Sequence, residues 1–113
     1  MARRESAARE VLIRTPTAIV SQAEVVMYAT SWCPYCARAR RLLADKGVAF
    51  TEIDVEAQPQ ARAEMIARSA GRRTVPQIFV GERHVGGSDD LSALEASGGL
   101  DRLLAEAAKK QRS

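Results

Sequence analysis

The feature that most constrains the fold is a pair of cysteines, Cys33 and Cys36, at the junction of an apolar run and a helical pattern. The run from Glu24 to Ala29 (EVVMYA) is short, apolar and β-rich, which is typical of a buried strand. Pro34 favours the first position of a helix, and the helical pattern behind it continues to Gly47. The sequence therefore predicts a strand, a turn that carries both cysteines, and a helix.

The remaining segments extend this unit into an α/β fold. A second strand is predicted over Val48 to Val55, and its apolar residues change parity between Phe50 and Ile53, which indicates a bulge or a central strand covered on both faces. A helix follows, and then the strands PQIFV and RHVGG, which Gly81 helps to join as a hairpin. One last helical region runs from Leu91 to Leu104. The predicted element order is βαβαββα.

Length and composition fit one domain. A chain of 113 residues with 46% hydrophobic content has enough apolar material for one core. Residues 1–22 are rich in arginine, alanine and glutamate and are broken by Pro16, so we expect them to form an N-terminal extension. Residues 23–113 are expected to form the domain, which we predict to be a monomer.

Charge and hydropathy exclude several classes of partner. The net charge of +3 comes from scattered arginines without a basic block, so we expect no nucleic-acid partner. No stretch approaches the ~20 apolar residues that cross a bilayer, and no secretory signal pattern is present, so we expect a cytoplasmic protein without membrane contact. In a reducing cytosol, a CxxC pair indicates redox or metal chemistry before a structural disulfide.

The position of the two cysteines indicates distinct roles. If Pro34 is the first helical residue, Cys33 lies at the helix N-cap, where free backbone N–H groups and the helix dipole stabilise a thiolate. Cys33 is then the nucleophile, and Cys36, one turn deeper on the same face, is the resolving thiol. A structural disulfide and half of a zinc site are the alternatives. Beyond the cysteines, a zinc site has only His84 and carboxylates to draw on.

Three segments together carry a resemblance to a known family. CPYC at Cys33–Cys36, TVPQIFV at Thr74–Val80 and HVGGSDDL at His84–Leu91 resemble a dithiol glutaredoxin of the small bacterial type. The similarity covers roughly Glu24 to Leu104. It implies a thioredoxin fold, with a mixed four-stranded sheet flanked by helices, and it implies glutathione as the reductant. Because the chain offers so few further zinc ligands, we expect no metal.

The resemblance also implies a binding site for glutathione. The family holds the bond before Pro76 in cis, which lets the backbone of Val75 pair with a bound cysteinyl peptide. From the residues alone, Ser88 can cap the next helix, with Asp89 and Asp90 in its first turn; the family adds contacts to the γ-glutamyl group. The implied glutathione-binding residues are Tyr35, Arg62, Thr74, Val75, Pro76, Gly87, Ser88, Asp89 and Asp90.

One position departs from the family pattern. Glutaredoxins often carry a lysine three residues before the nucleophile, and this chain has Thr30 there. The missing cation leaves open how Cys33 is activated. Arg62, Arg38 and Arg73 are candidate replacements. The alternative for each is a solvated surface charge, and we expect a functional role only for Arg62.

The predicted function is that of a glutathione-dependent thiol-disulfide oxidoreductase that reduces protein disulfides and protein–glutathione mixed disulfides. One alternative is a glutathione-ligated iron–sulfur cluster carrier, although Pro34 and the second cysteine weigh against it. Another is a thioredoxin-like hydrogen donor served by a flavoprotein reductase. His84, in the hairpin, is predicted to be structural, and Trp32, before the nucleophile, is either an exposed recognition ring or a packed one.

Overall fold

The computed structural model of the chain describes residues 23–112, which form four strands and four helices. The predicted extension over residues 1–22 lies outside this part. The strands are β1 (Val25–Ala29), β2 (Thr51–Asp54), β3 (Gln77–Val80) and β4 (Arg83–Gly86). The helices are α1 (Pro34–Asp45), α2 (Pro59–Arg68), α3 (Ser88–Ala96) and α4 (Gly99–Arg112).

The strands form one mixed sheet in the order β2-β1-β3-β4. β1 runs parallel to β2, with Tyr28 opposite Ile53, and antiparallel to β3, with Tyr28 opposite Gln77. β3 and β4 form the predicted antiparallel hairpin. The four-stranded mixed sheet flanked by helices confirms the predicted fold class.

Helices cover both faces of the sheet, and the side chains of β1 pack alternately against the two helix layers. Successive side chains of a strand point to opposite faces, so Val25 and Met27 pack into one core and Val26 and Tyr28 into the other. The first core is closed by buried residues of α1, α3 and α4, and the second by Ala61 and its neighbours on α2. Because both faces are covered, every residue of the two central strands is buried, and all of them are apolar except Gln77 at the start of β3.

The prediction for the second strand is wrong in its length and its place. β2 is an edge strand of four residues, and Thr51 and Glu52 are exposed. Val48 and Phe50 pack against the α1 face from the loop before the strand, whereas Ile53 packs against the α2 face. The change in which residues are apolar, between Phe50 and Ile53, therefore marks the point where the loop ends and the strand begins. The pairing of β1 with β2 shows no bulge.

The last helical region is two helices instead of one. α3 ends at Ala96, and the backbone N–H groups of Ser97 and Gly98 close its final turn on the carbonyls of Ala93 and Glu95. Gly98 has a φ of +80°, a conformation that glycine adopts without steric cost, and α4 begins at the next residue. None of the helices within residues 23–112 has the length and apolar character needed to span a membrane.

Candidate active site

Cys33 lies where α1 begins, as the sequence predicts. It is the N-cap residue, with extended backbone angles (φ −82°, ψ 124°), and Pro34 is the first helical residue. The Cys33 side chain is half-buried, and its Sγ lies 3.9 Å from the carbonyl oxygen of Val75. The helix start therefore places the thiol beside the loop that leads into β3.

The surroundings of Cys33 favour its ionised form. Burial by itself raises the pKa of this thiol, but hydrogen bonds from the Cys36 N–H and thiol, the Tyr35 N–H and the Thr30 hydroxyl stabilise the thiolate. The net result is that the pKa of Cys33 lies below its ordinary value. Backbone N–H groups at a helix start are free to make such bonds because they have no partner within the helix.

Cys36 has the opposite character. It is fully buried, and burial is the main reason that its pKa is raised to about 11. The nearby Cys33 raises it further, both as a hydrogen-bond partner and as a charge, against an opposing hydrogen bond from the backbone of Thr30. The chain thus holds one thiol poised to ionise and one kept protonated, a single turn apart.

Thr30 takes part in the site although it lacks the lysine's charge. The residue is buried at the end of β1, and its hydroxyl is among the groups that lower the pKa of Cys33. The leading stabilising contributions to the thiolate are hydrogen bonds. A neutral hydroxyl donor at position 30 therefore takes over part of the stabilisation that the lysine of other glutaredoxins would give to the thiolate.

The loop before β3 forms the second wall of the site. The Val75–Pro76 peptide bond is cis, as the family resemblance implies. Pro76 is buried, Val75 is half-buried and Thr74 is exposed. A Cβ added to Gly87 would lie 3.5 Å from the carbonyl oxygen of Pro76, so the start of α3 approaches this loop closely.

The start of α3 differs in one respect from the prediction. Gly87, not Ser88, is the N-cap residue, because the carboxylate of Asp90 accepts the Gly87 N–H at 2.9 Å and begins the helix one residue earlier. Asp89 and Asp90 lie in the first turn, as predicted. Ser88 is buried, and its hydroxyl has no hydrogen-bond partner among the described atoms. A buried hydroxyl without a partner is costly, and a ligand at this helix start can satisfy it.

An arginine that the sequence analysis did not single out lies at this end of the site. The Nη2 atom of Arg72 is 3.6 Å from the Asp90 carboxylate, and it would lie 3.9 Å from a Cβ on Gly87. The only sequence signal for it is its place in the Arg72-Arg73 pair before the TVP segment. The side chains of Arg72 and Asp90 are each about half exposed, so this cation is accessible to a ligand.

The three arginines that the sequence analysis proposed as replacements for the lysine differ in their distance from the site. Arg38 packs over the exposed ring of Tyr35 at 5.5 Å and lies 4.0 Å from Asp89. Arg62 is half-buried near the start of α2, and no hydrogen bond or ion pair joins it to another residue within 23–112. Arg73 is exposed. The geometry brings Arg38 close to predicted site residues, and within residues 23–112 no hydrogen bond or ion pair joins Arg62 or Arg73 to them.

Two aromatic residues border the thiols on the outside. Trp32 is 73% exposed and Tyr35 is 55% exposed, and they are the large hydrophobic residues that the described part of the chain leaves in solvent. The open question about Trp32 is thereby answered, because the ring is not packed. In the part of the chain that the structure describes, no three histidine, cysteine or carboxylate side chains are grouped so that they could hold a metal ion.

A mixed sheet with a CxxC pair at the start of its first helix, one thiol activated and the other buried, defines a thiol-disulfide oxidoreductase of the thioredoxin-fold class. The family model described as Glutaredoxin matches residues 25–85, which is more than half of the chain. The chain belongs to the glutaredoxin family, whose members are thiol-disulfide oxidoreductases.

Individual relatives agree with this assignment. The chain is 61% identical over 80 residues to a glutaredoxin of Pseudomonas aeruginosa, a match that covers 71% of this chain and 94% of the relative. The solution structure of a glutaredoxin from Brucella melitensis is 58% identical, with a TM-score of 0.66, covering 75% of this chain and 91% of that one. The crystal structure of a buckwheat glutaredoxin–glutathione complex is 26% identical, with a TM-score of 0.69. The match covers 80% of this chain and 84% of the buckwheat chain.

Proposed function

We propose that this protein is a glutathione-dependent oxidoreductase that reduces protein disulfides and protein–glutathione mixed disulfides through Cys33 and Cys36. The observation that carries the proposal is the contrast between the two thiols. The pKa of Cys33 is lowered at the helix start, and that of Cys36 is raised by burial. A dithiol reductant needs one thiolate that attacks the substrate and one thiol that stays protonated until it resolves the mixed disulfide.

The first step begins with the Cys33 thiolate. It attacks the glutathione sulfur of a protein–glutathione mixed disulfide, the old S–S bond breaks, and the protein thiolate leaves and takes a proton from water. A mixed disulfide between Cys33 and glutathione remains. A second glutathione thiolate attacks the glutathione sulfur of that disulfide, which releases the Cys33 thiolate and glutathione disulfide.

A protein disulfide follows a second route that uses Cys36. Attack by Cys33 forms a mixed disulfide with the substrate and frees one substrate thiol. Once Cys33 is in a disulfide it carries no charge, and one of the contributions that raise the pKa of Cys36 disappears. Cys36 then loses its proton and attacks the Cys33 sulfur, which closes the Cys33–Cys36 disulfide and frees the second substrate thiol. Two glutathione molecules restore the dithiol and leave as glutathione disulfide.

The proposed glutathione site extends from the thiols to the start of α3. Val75 offers backbone groups beside Cys33, and Gly87 allows close approach to the loop. The unpartnered Ser88 hydroxyl, the Arg72 guanidinium and the first turn of α3 suit the charged γ-glutamyl end of glutathione. Support from a relative comes from the buckwheat glutaredoxin, whose structure is a complex with glutathione. We further propose that the protein acts as a monomer in the cytoplasm.

The test is a turnover assay in which glutathione is the only reductant. The substrates are a glutathionylated peptide and, separately, a protein with one intramolecular disulfide. We expect turnover of both. If reduction requires a flavoprotein reductase and glutathione alone gives none, the thioredoxin-like alternative holds instead. A visible absorption band after anaerobic purification would support the cluster-carrier alternative.

A further inference from the structure

A buried glutamine links the hairpin to the loop of the proposed glutathione site. Gln77 is the first residue of β3 and is fully buried. Its amide nitrogen donates to the carbonyl oxygen of Thr74 at 3.1 Å and to the Thr74 hydroxyl at 3.2 Å. Its amide oxygen lies 2.6 Å from Nε2 of His84, which belongs to β4. One side chain thus joins two strands to the residue before Val75.

The chemistry of these contacts fixes the orientation of each group. The carbonyl of Thr74 only accepts hydrogen bonds, so the amide nitrogen of Gln77 must face it. The Gln77 oxygen then faces His84, and this oxygen also only accepts. His84 must therefore carry a proton on Nε2 and donate it. Stacking of the His84 ring on Phe79, with centroids 4.9 Å apart, holds the ring in place for this bond.

The orientation of the Thr74 carbonyl determines the direction of the Val75 N–H group. Thr74 and Val75 share one peptide unit, which is planar and trans, since the cis bond of this loop is the one that follows. In a trans peptide the C=O and the N–H point in opposite directions. Holding the Thr74 oxygen toward the buried Gln77 amide therefore turns the Val75 N–H away from the core. The other backbone polar group of Val75, its carbonyl, lies beside the Cys33 sulfur.

We propose that Gln77 and His84 are positioning residues that orient the Val75 N–H to donate to the backbone of a bound glutathione or cysteinyl peptide. This inference rests on the proposed function, because it deepens the same site. Neither side chain reaches the reacting sulfurs. Gln77 acts through the Thr74 carbonyl, and His84 acts by preventing the Gln77 amide from turning over. His84, predicted to be a structural residue, thereby gains a role in binding.

Two measurements by NMR need no ligand and test the network directly. In the wild-type reduced protein, the ring nitrogens of His84 are expected to show the neutral tautomer protonated on Nε2. In Gln77→Met, which keeps the volume and removes both polar groups, the carbonyl carbon of Thr74 is expected to shift as its hydrogen bond is lost. The opposite tautomer, or an unmoved Thr74 carbonyl, would overturn the inference.

Kinetics test the consequence for binding. Gln77→Met is expected to raise the KM for a glutathionylated peptide about tenfold, the equivalent of roughly one hydrogen bond, while kcat changes much less. Alkylation of Cys33 by iodoacetamide reports the thiolate without glutathione and is expected to stay within about twofold of wild type, because the hydrogen bonds to the thiolate are untouched. An unchanged KM, or alkylation that falls in step with it, overturns the inference.

A matched pair of variants at His84 separates positioning from packing. Both His84→Gln and His84→Asn lose the imidazole that stacks on Phe79. Only the longer glutamine places an amide N–H at the position of the His84 Nε2 atom. We therefore expect a KM near that of wild type for His84→Gln. For His84→Asn we expect a raised KM, as for Gln77→Met. Equal KM values for the two would overturn the role of His84. If wild type itself shows no glutathione-coupled turnover, the proposed function fails and the NMR results alone decide the network.

Discussion

The sulfur of Cys33 lies 3.9 Å from the carbonyl oxygen of Val75, although 42 positions separate the two residues in the chain. The helix start and the Thr30 hydroxyl together produce an activated thiol, but they do not select the group that the thiol contacts. The long-range contact brings the thiol to the loop whose backbone is proposed to bind a cysteinyl group. Chemistry and recognition therefore come from two distant segments that the sheet unites.

Substitution of each thiol separately is expected to divide the two activities. Cys33→Ser abolishes all turnover, because an alcohol is not ionised at neutral pH and Cys36 is the one remaining cysteine. Cys36→Ser retains release of glutathione from a glutathionylated peptide, since a second glutathione clears the mixed disulfide. Reduction of an intramolecular protein disulfide falls by about tenfold or more in this variant, because the neighbouring attacker is gone.

The measurement is the turnover number of both single variants on both substrates. Equal loss of the two activities in Cys36→Ser would contradict the assigned roles. An active Cys33→Ser combined with an inactive Cys36→Ser would reverse them.

Removal of the Thr30 hydroxyl is expected to raise the pKa of Cys33. In Thr30→Val the shape is kept but one donor to the thiolate is lost, so iodoacetamide alkylation at pH 7 slows by about threefold to tenfold, the equivalent of ~1 kcal/mol. The midpoint of alkylation against pH, below the ordinary value of about 8.5 in wild type, moves upward. Thr30→Ser keeps the hydroxyl and is the control. Identical pH profiles for the valine and serine variants would show that the backbone N–H groups activate Cys33 without the hydroxyl.

Lys46 is expected to stabilise the packing of α1 against α3 and α4. Its side chain is 17% exposed, and its ammonium group lies 3.0 Å from Glu95 and 2.7 Å from Asp101. Lys46→Met is expected to lower the free energy of unfolding by about 1 kcal/mol, toward the upper end for partly exposed pairs. Arg41→Met, at an exposed position of α1, is the control and is expected to change the free energy of unfolding by less than about 0.5 kcal/mol.

The pH dependence of this contribution follows from the raised pKa of Lys46. Its hydrogen bond to Asp101 is the largest cause, and a group whose folded pKa is raised stabilises the fold fully below its unfolded pKa of about 10.4. Urea unfolding should therefore separate Lys46→Met from wild type equally at pH 6 and pH 8. The difference should shrink only as the pH rises above about 10. A difference that vanishes at pH 8 would assign the effect to another group.

Local patterns predicted much of this molecule. The N-cap position of Cys33 follows from Pro34 beside it, and the hairpin follows from the short runs PQIFV and RHVGG on either side of Gly81. The parity change near Phe50 misled because burial on two faces arises from helices that lie elsewhere in the chain. A local pattern cannot distinguish a bulge from a strand that has not yet begun.

In the site, too, the residues of local motifs were predictable from the sequence, whereas residues that act through distant contacts were not. The family motifs gave the residues beside Cys33 and at the start of α3. Arg72 and Gln77 were not predicted, because the contacts that suggest roles for them, with Asp90 and His84, arise only in the folded chain. The cap of α3 moved from Ser88 to the residue before it for a related reason, since a carboxylate three residues ahead satisfied the first N–H.

Gly86 is expected to be essential to the shape of the part of the site that is proposed to bind the γ-glutamyl end of glutathione. Its φ is +120°, and a Cβ there would collide with the carboxylate of Asp90, which both accepts the Gly87 N–H and pairs with Arg72. Gly86→Ala must therefore push that carboxylate away. We expect an increase of about tenfold or more in KM for a glutathionylated peptide, from loss of at least one charge-assisted hydrogen bond.

Gly98→Ala is the matched control for this substitution. Gly98 also has a positive φ, +80°, but a Cβ there meets no atom within 4 Å, and the residue lies between α3 and α4. Both variants carry the cost of a left-handed alanine, about 1 kcal/mol of stability, and only Gly86→Ala adds the collision. The measurements are urea unfolding and the KM of each variant. If Gly98→Ala raised the KM as much as Gly86→Ala, general strain and not the Asp90 carboxylate would be responsible.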